Sequence, residues 1–218
     1  MSLETSGLGR FEPGSARGGY ATEERVYPKL KRALDIVVVL ASAPAVLIVV
    51  LLASAAIYLL EGGPIFFVQD RVGKGGRVFR MIKLRTMVPD HLSEPRATLK
   101  SDPRVTWLGY FLRQSHIDEL PQVLNILMGD MTLVGPCPEQ PGLAAKYREQ
   151  LPNYDLRHMV RPGLTGWAQV NFGYAADLSE TAKKLAYDVE YVKFYGPKMD
   201  FLIVLKTFRI VCDPRYVR

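Results

Sequence analysis

The sequence predicts an α+β protein, mainly helical, in which a re-entrant membrane helix-break-helix precedes a small β-hairpin and a compact cytosolic domain with interfacial amphipathic helices. Two observations lead to this class. A nearly uninterrupted apolar run extends over 33–60 and contains one charged residue, Asp35. The chain from about Gly62 onward is polar enough to bury a core of its own. Because mean hydropathy over the whole chain is close to zero, a multi-span membrane protein is excluded.

The apolar run is long enough to cross a bilayer, but its proline and its flanks complicate the topology. As a helix it would be about 42 Å long, against a hydrocarbon core of roughly 30 Å. Pro44 removes a helical N–H and clashes with the preceding turn, where Ser42 could bond a freed backbone group. Basic residues lie on both sides of the run, and Lys and Arg tend to remain cytoplasmic. These features predict either a helix that breaks at Ser42 and Pro44 and re-enters, or an ordinary kinked transmembrane helix.

Composition divides the chain into three segments and bounds its partners. We expect a flexible N-terminal leader over 1–28, the membrane helix over 29–61 and the cytosolic domain over 62–218. The leader is polar and Gly-rich, which is not the pattern of a signal peptide. Cys137 and Cys212 follow no metal-binding spacing, so we expect free thiols in a reducing compartment. The net charge of +6 favours anionic partners, membrane phospholipid first, and no nucleic-acid-binding motif is present.

Turn signals and apolar periodicity predict the elements of the domain. Strands are expected at 65–70 and 78–87 around the Gly-rich turn 71–77, followed by a polar loop over 88–103. Helices are expected at 105–113, 120–127, 144–150, 179–194 and 199–211. The last of these mixes apolar residues with Lys206 and Arg209, which is typical of a helix at a membrane interface.

Asp118 and Glu119 are the sharpest candidates for chemistry. Adjacent carboxylates can offer one group to Mg²⁺ and another to a substrate. The same stretch, Ser115 to Asp118, also fits a capping box, and capping is the commoner role of acidic residues at a helix start. Four basic residues could neutralise a pyrophosphate beside the acid pair, although each taken singly is better explained as solvated or lipid-contacting: Lys83, Arg85, Arg113 and Arg161.

Taken in chain order, several strings resemble the bacterial sugar transferases, also called monotopic phosphoglycosyl transferases. They include KLRTM at 83–87, DELPQ at 118–122 and RPGLTGWAQV at 161–170, and the likeness covers about 31–211. The resemblance implies transfer of a sugar-1-phosphate from a UDP-sugar to polyprenyl (undecaprenyl) phosphate, with release of UMP, at the start of polysaccharide or glycoconjugate synthesis. It also implies an Mg²⁺ cofactor, a helix broken at Ser42 and Pro44, and a monotopic catalytic domain on the cytoplasmic face of the bacterial inner membrane.

The resemblance further implies roles for individual residues. Asp118 resembles the nucleophile that forms a covalent phosphosugar intermediate. Glu119 resembles its partner, which assists Mg²⁺ binding or removes a proton from the acceptor. The residues implied to bind the substrate or its phosphates, or to support that binding, are Lys83, Arg85, Arg113, Arg161, Gln169 and Asp188.

Two departures from the family pattern concern the substrate. Cys137 stands between two prolines where the family usually has arginine. Residues 171–174, Asn-Phe-Gly-Tyr, replace the commoner Asn-Gly-Arg and resemble exopolysaccharide-type members, whose donors are often UDP-glucose or UDP-galactose. Two alternatives remain beside the transferase: a nucleotide-sugar hydrolase that uses the same acids, and a non-catalytic membrane-anchored scaffold that binds lipid.

Overall fold

The structure, a computed structural model, describes residues 23–88, 102–173, 175 and 177–212. Most of the leader expected over 1–28 and of the polar loop expected over 88–103 therefore lies outside the described residues. Within them, the mainly helical α+β class is confirmed.

The described chain contains seven α-helices and four strands of three to seven residues. The helices are α1 (Glu23–Glu61), α2 (Trp107–Gln114), α3 (Val123–Met128), α4 (Pro141–Gln150), α5 (Trp167–Asn171), α6 (Leu178–Lys193) and α7 (Pro197–Cys212). The strands are β1 (Phe66–Val72), β2 (Val78–Leu84), β3 (Thr132–Val134) and β4 (Gly163–Thr165). Three 3₁₀ segments occur at Lys74–Gly76, Ile117–Gln122 and Tyr154–Met159.

The strands form two small sheets. The predicted hairpin is confirmed: β1 and β2 pair antiparallel, from Phe66 opposite Leu84 to Val72 opposite Val78. The second sheet was not predicted and joins β3 and β4 in parallel. Its strands approach so closely that a Cβ atom added to Gly163 would lie 2.0 Å from the backbone nitrogen of Gly135. Glycine at this position is therefore a packing requirement.

The single long apolar helix is confirmed, whereas its predicted division is not resolved. α1 begins at Glu23, earlier than the expected 29, and runs through Pro44 to Glu61 as one helix. Ser42 donates a hydrogen bond from Oγ to the Val39 carbonyl at 3.1 Å. Among the described residues, 27–61 is the one helix long and apolar enough to cross a membrane, and only 11% of its most apolar stretch is buried.

Two buried apolar clusters join α1 to the domain. Towards its start, Val39 lies in a cluster with residues of β2 and α3 that includes Met81 and Ile126. Towards its end, Ile57 lies in a second cluster with Leu84 and with α2. Both clusters involve the hairpin, so the hairpin is packed against α1 in two places.

Buried polar contacts also hold the start of α1. The Asp200 carboxylate on α7 accepts hydrogen bonds from Tyr27 Oη and Lys31 Nζ, each at 2.5 Å, and from Tyr191 Oη at 2.7 Å. Asp35, the charged residue of the apolar run, accepts one from Thr132 Oγ1 at 2.5 Å. Lys31, Asp35 and Asp200 are all at least nine-tenths buried. Each charge is therefore paired or hydrogen-bonded, as burial requires.

We expect Asp200→Ala to destabilise the protein strongly, because it leaves the Lys31 ammonium buried without its carboxylate. Breaking such a pair costs roughly 3–5 kcal/mol in the free energy of unfolding. The melting temperature in detergent should fall by about 6–12 °C or more.

Asp155→Ala is the matched control, since its ion pair with Arg148 is exposed and such pairs contribute about 0–1 kcal/mol. Equal melting temperatures for the two variants would contradict this account of how α1 is anchored.

Candidate active site

The acid pair lies in a 3₁₀ segment and not at the start of an α-helix. The Ser115 hydroxyl donates to the carbonyls of Phe111 and Leu112, so it is occupied at the end of α2 and does not cap the next segment. His116 then adopts a left-handed conformation, with φ of 56°, and turns the chain into Ile117–Gln122. The capping explanation of Asp118 is therefore wrong, and the helix expected from 120 begins at Val123 instead.

Asn125 fixes this segment against the hairpin. Its side-chain amide donates to the Arg80 carbonyl at 2.8 Å and accepts from the Ile82 N–H at 3.1 Å. Asn125 is fully buried, and α3 follows the acid pair directly. The Asn125 side chain therefore hydrogen-bonds to the free edge of β2 and holds the acid pair beside Lys83.

Lys83 and Glu119 form the central ion pair of the site. Lys83 Nζ lies 2.5 Å from Glu119 Oε1, and both side chains are largely buried. Burial favours the neutral form of Glu119, but the charge and hydrogen bond of Lys83 outweigh it and lower the pKa of the carboxyl. Burial likewise disfavours the charged form of Lys83, but the negative charges of Glu119 and Asp118 outweigh this effect and raise the pKa of the lysine. Both groups are therefore ionised at neutral pH.

Asp118 has a different environment from its neighbour. It is 6% exposed, and no hydrogen bond from the described residues reaches its carboxylate. Burial raises the pKa of Asp118 to about 6, against the pull of Lys83 and with added repulsion from Glu119. Asp118 is thus a buried carboxylate that is ionised at neutral pH without a direct partner, which is the character of a reactive group or a metal ligand.

Arg113 on α2 adds a second positive charge near Asp118. Its Nε donates to Thr86 Oγ1 at 2.8 Å, and burial lowers its pKa while the charge of Asp118 opposes that shift. α2 lies very close to the segment that follows β2. A Cβ atom added to Gly109 would lie only 2.0 Å from the Thr86 carbonyl oxygen. The absence of a side chain at 109 therefore lets Arg113 reach its position.

A small cavity of about 60 Å³ opens beside the pair and brings together three of the predicted site residues, Lys83, Glu119 and Gln169. The Gln169 amide donates to the Leu164 carbonyl at 3.1 Å, while its Oε1 has no hydrogen-bond partner among the described residues. The lining also contains Arg71 and Gln122, which were not among the predicted site residues. Gln122 ends the DELPQ string that resembles the family, and that likeness was the signal available for it.

The other predicted site residues contact different parts of the domain. Arg85 donates from Nη2 to the carbonyls of Glu61 and Gly62 at the end of α1. Arg161 donates from Nε to the Gly129 carbonyl at 2.9 Å. That these two residues also bind the substrate stays a prediction.

Asp188 forms a buried ion pair that the sequence did not predict. Its Oδ2 lies 2.7 Å from Arg157 Nη2, and both residues are at least nine-tenths buried. Arg157 also donates to the Cys137 carbonyl at 2.8 Å, so the pair holds the Pro136-Cys137-Pro138 stretch next to the cavity. Nothing in the sequence around Arg157 marks it as functional.

The acid pair has the chemistry of an Mg²⁺ site. Magnesium is usually bound by one or two carboxylates together with substrate phosphates and water. Asp118 and Glu119 supply two adjacent carboxylates, and that of Asp118 lacks a hydrogen-bond donor among the described residues. No third His, Cys, Asp or Glu completes a metal-binding group in the described part of the chain. The residues therefore fit Mg²⁺ if substrate phosphates complete its coordination.

Comparison with known proteins places this geometry in a family. The sequence model of the bacterial sugar transferase family matches residues 26–214 of this chain. The chain is 41% identical over 187 residues to a UDP-N-acetylgalactosamine-undecaprenyl-phosphate N-acetylgalactosaminephosphotransferase of Aeromonas hydrophila, covering 85% of this chain and 44% of that protein. It is 39% identical over 188 residues to a UDP-glucose:undecaprenyl-phosphate glucose-1-phosphate transferase of Escherichia coli (strain K12), covering 82% of this chain and 40% of that protein.

A shorter relative matches along nearly its whole length. The exopolysaccharide production protein PSS of Rhizobium leguminosarum bv. phaseoli is 40% identical over 190 residues, which is 82% of this chain and 92% of that protein. The chain thus spans less than half the length of the first two relatives and almost all of the third. The family match covers the acid pair, the hairpin and nearly all of α1, and the chain belongs to the bacterial sugar transferase family.

Proposed function

We propose that this chain is a phosphoglycosyl transferase that moves a sugar-1-phosphate from a UDP-sugar to undecaprenyl phosphate and releases UMP. The observation that carries the proposal is the acid pair beside Lys83, with Asp118 buried and Glu119 ion-paired, in the segment that matches the family. The two longer relatives are named for this reaction with glucose or N-acetylgalactosamine. One of these two UDP-sugars is therefore the donor that we propose, with UDP-galactose, the other expectation from the sequence, kept in the test panel.

In the first step we propose that Asp118 is the nucleophile. A carboxylate oxygen attacks the phosphorus that carries the sugar, and the bond from that phosphorus to the oxygen of UMP breaks. UMP leaves with the bonding electrons, and a sugar-phosphoryl group remains on the aspartate. Burial without a hydrogen-bond donor supports this role, because a poorly solvated carboxylate is the stronger nucleophile.

In the second step an oxygen of undecaprenyl phosphate attacks the same phosphorus. The bond to Asp118 breaks, the carboxylate is restored and the lipid diphosphate sugar is formed. Two steps avoid bringing both anionic substrates together, since UMP leaves before the lipid phosphate enters. Glu119 is ionised and could accept the remaining proton of the lipid phosphate.

We propose that Lys83 and Arg113 hold the phosphates of the donor and balance the charge that develops on them. Both lie close enough to Asp118 to influence its pKa. Bound through Asp118 and Glu119, Mg²⁺ would neutralise phosphate charge as a Lewis acid. Gln169 on the cavity wall is proposed to contact the donor, and Arg161 to hold the loop that carries it.

We propose that α1 enters the membrane and returns to the same face. In a straight helix Val39 and Glu61 would lie about 33 Å apart. Val39 shares a cluster with Met81, and the Glu61 carbonyl accepts from Arg85. Met81 and Arg85 are only about 13 Å apart along an extended chain. A bend near Pro44 reconciles the two contacts better than a straight helix does.

Exposed apolar side chains support an interfacial placement of the domain. On α2, Trp107 is 83% exposed, and on α7, Phe208 is 70% exposed. Aromatic residues are enriched where a protein meets the headgroup region. We propose that these two helices rest on phospholipid at the cytoplasmic face of the inner membrane, where both substrates can reach the acid pair.

Replacing the nucleophile should abolish turnover. We expect Asp118→Asn to lower UMP release by more than 10³-fold with UDP-sugar, polyprenyl phosphate and Mg²⁺ present, because the amide is a poor nucleophile. The matched control is Asp155→Asn, an exposed aspartate that should keep wild-type activity.

Full activity of Asp118→Asn would refute the nucleophile assignment. Lipid binding by the wild type without UMP release from any donor would favour the scaffold alternative. UMP release by the wild type that is indifferent to polyprenyl phosphate would favour the hydrolase.

The raised pKa of Asp118 predicts a measurable stability effect in chelator. In the folded protein its pKa is about 6, above the ordinary 3.8, so the folded state binds more protons between these values. This contribution to stability is present at low pH and is lost as pH rises through 6, at a cost of up to roughly 3 kcal/mol. At pH 7.5 without Mg²⁺, Asp118→Asn should therefore melt several degrees higher than the wild type.

Added Mg²⁺ should raise the melting temperature of the wild type and leave that of Asp118→Asn nearly unchanged. If the variant melts below the wild type in chelator at pH 7.5, the electrostatic description of this residue is wrong.

The topology is tested by thiol labelling in sealed inverted vesicles. With Cys137 and Cys212 replaced by serine, we expect Lys29→Cys and Lys74→Cys to react with an impermeant maleimide from the same, cytoplasmic side. Both native lysines are exposed in the structure. Ala45→Cys, near the proposed bend, should be protected on both sides. Reaction of the two lysine positions from opposite sides would establish a transmembrane helix instead.

A further inference from the structure

A second cavity, of about 210 Å³, adjoins the one beside the acid pair and differs from it in chemistry. The two share Arg71, Cys137 and Pro138 on their walls. The larger one is enclosed by the end of β1, the 136–140 stretch, α4, the 3₁₀ segment Tyr154–Met159 and α6. A molecule bound at the acid pair could therefore extend into it past the 137–138 backbone.

Three residues that line this cavity carry a buried polar atom without a hydrogen-bond partner among the described residues. Gln140 is 8% exposed and its Oε1 accepts no hydrogen bond. Asp188 is 1% exposed; its Oδ2 is paired with Arg157, whereas its Oδ1 accepts no hydrogen bond. Arg71 Nε is likewise unpartnered. Because buried polar groups are nearly always hydrogen-bonded, these atoms mark a place for a polar ligand.

We propose that this cavity binds the sugar ring of the nucleotide-sugar donor, and that Gln140 helps to determine which sugar is accepted. This proposal rests on the proposed function. It assigns a binding site to the sugar, the part of the donor for which the acid pair supplies none. Hydroxyl groups of a sugar would donate to Gln140 Oε1 and to Asp188, and one would accept from Arg71 Nε.

The pattern of donors and acceptors favours a sugar over the other parts of the donor. The unpartnered atoms are two acceptor oxygens, Gln140 Oε1 and Asp188 Oδ1, and one donor nitrogen, Arg71 Nε. Uracil offers one N–H and two carbonyls, which is the opposite balance, whereas each hydroxyl of a sugar can donate. Three cations line the cavity, but Arg157 is paired with Asp188 and Arg71 with Glu139, so among the described residues Lys184 alone is left to balance a diphosphate.

The size and the apolar wall agree with this assignment. Ligand pockets for drug-sized molecules measure roughly 300–1,000 Å³, so a cavity of about 210 Å³ suits a single ring. Leu143, Tyr147 and Leu185 line one part of it, which offers apolar surface to the C–H face of a pyranose. Polar groups that fix orientation within an apolar wall are the usual make-up of such a site.

The test compares donor selectivity in Gln140→Leu with the wild type. UMP release is measured with UDP-glucose, UDP-galactose, UDP-N-acetylglucosamine and UDP-N-acetylgalactosamine, each with polyprenyl phosphate and Mg²⁺. We expect kcat/KM for the preferred donor to fall about tenfold, the loss of one hydrogen bond to a buried group, and the four donors to be discriminated less. Inhibition by UMP, which carries no transferred sugar, should be unchanged.

Two further variants keep the outcome interpretable. Gln140→Glu retains an acceptor oxygen and should keep more selectivity than Gln140→Leu. Gln150→Leu makes the same change at an exposed position of α4 and should behave as the wild type. A Gln140→Leu variant with wild-type selectivity would overturn the proposal, and an equal loss of affinity for UMP would assign the cavity to the nucleoside instead.

Failure of the proposed function is distinguishable from failure of this inference. If the wild type turned over none of the four donors, calorimetric titration would compare UDP-sugar with UMP on both proteins. A tighter affinity for UDP-sugar than for UMP that Gln140→Leu removes would support the cavity assignment. Equal affinities in the wild type would reject it.

Discussion

The unequal environments of two adjacent carboxylates, Asp118 buried without a direct partner and Glu119 paired with Lys83, are the constraint around which this domain is arranged. Glu119 is held ionised by direct contact with Lys83, whereas Asp118 receives only the more distant influence of Lys83 and Arg113. One base therefore stabilises one acid and leaves the other poorly compensated. This asymmetry gives the two residues different properties although they are neighbours in the chain, and it underlies the division into nucleophile and partner that we propose.

The surrounding fold keeps that arrangement in place. Asn125 hydrogen-bonds to the Arg80 carbonyl and the Ile82 N–H and thereby fixes the acid pair beside β2. The close approach at Gly109 lets α2 place Arg113 near Asp118. The hairpin that carries Lys83 is in turn packed against α1 through two apolar clusters. The membrane helix and the reactive groups are thus connected through a few short elements, which supports chemistry close to the lipid surface.

Much of the fold follows from local sequence patterns, and the departures have identifiable causes. The hairpin and the long apolar helix were predictable because a Gly-rich turn and an apolar run are local signals. The β3–β4 sheet was not, since three-residue strands that pair across 28 intervening residues leave no periodic signal. The helix expected from 120 begins at Val123, because the Ser115 hydroxyl bonds the end of α2 and does not cap the next segment.

The candidate site was likewise only partly predictable from the sequence. The acid pair was recognisable from its residue types and from the family strings, and Lys83 was expected near it. That Asp188 would pair with Arg157 and hold the stretch around Cys137 was not predictable, because this contact depends on how α6 packs. The unpartnered oxygen of Gln140 is likewise a property of the packed structure, with no counterpart in the local sequence.

The most direct test of the central claim is the mass of the protein during turnover. The purified chain would be mixed with UDP-sugar and Mg²⁺ without lipid acceptor, quenched in acid and measured intact. We expect the mass of the protein to increase by one sugar-phosphoryl group. Peptide mapping should locate this group on Asp118, and undecaprenyl phosphate should remove it. Release of UMP with no such gain at any time, or a gain on another residue, would contradict the central claim.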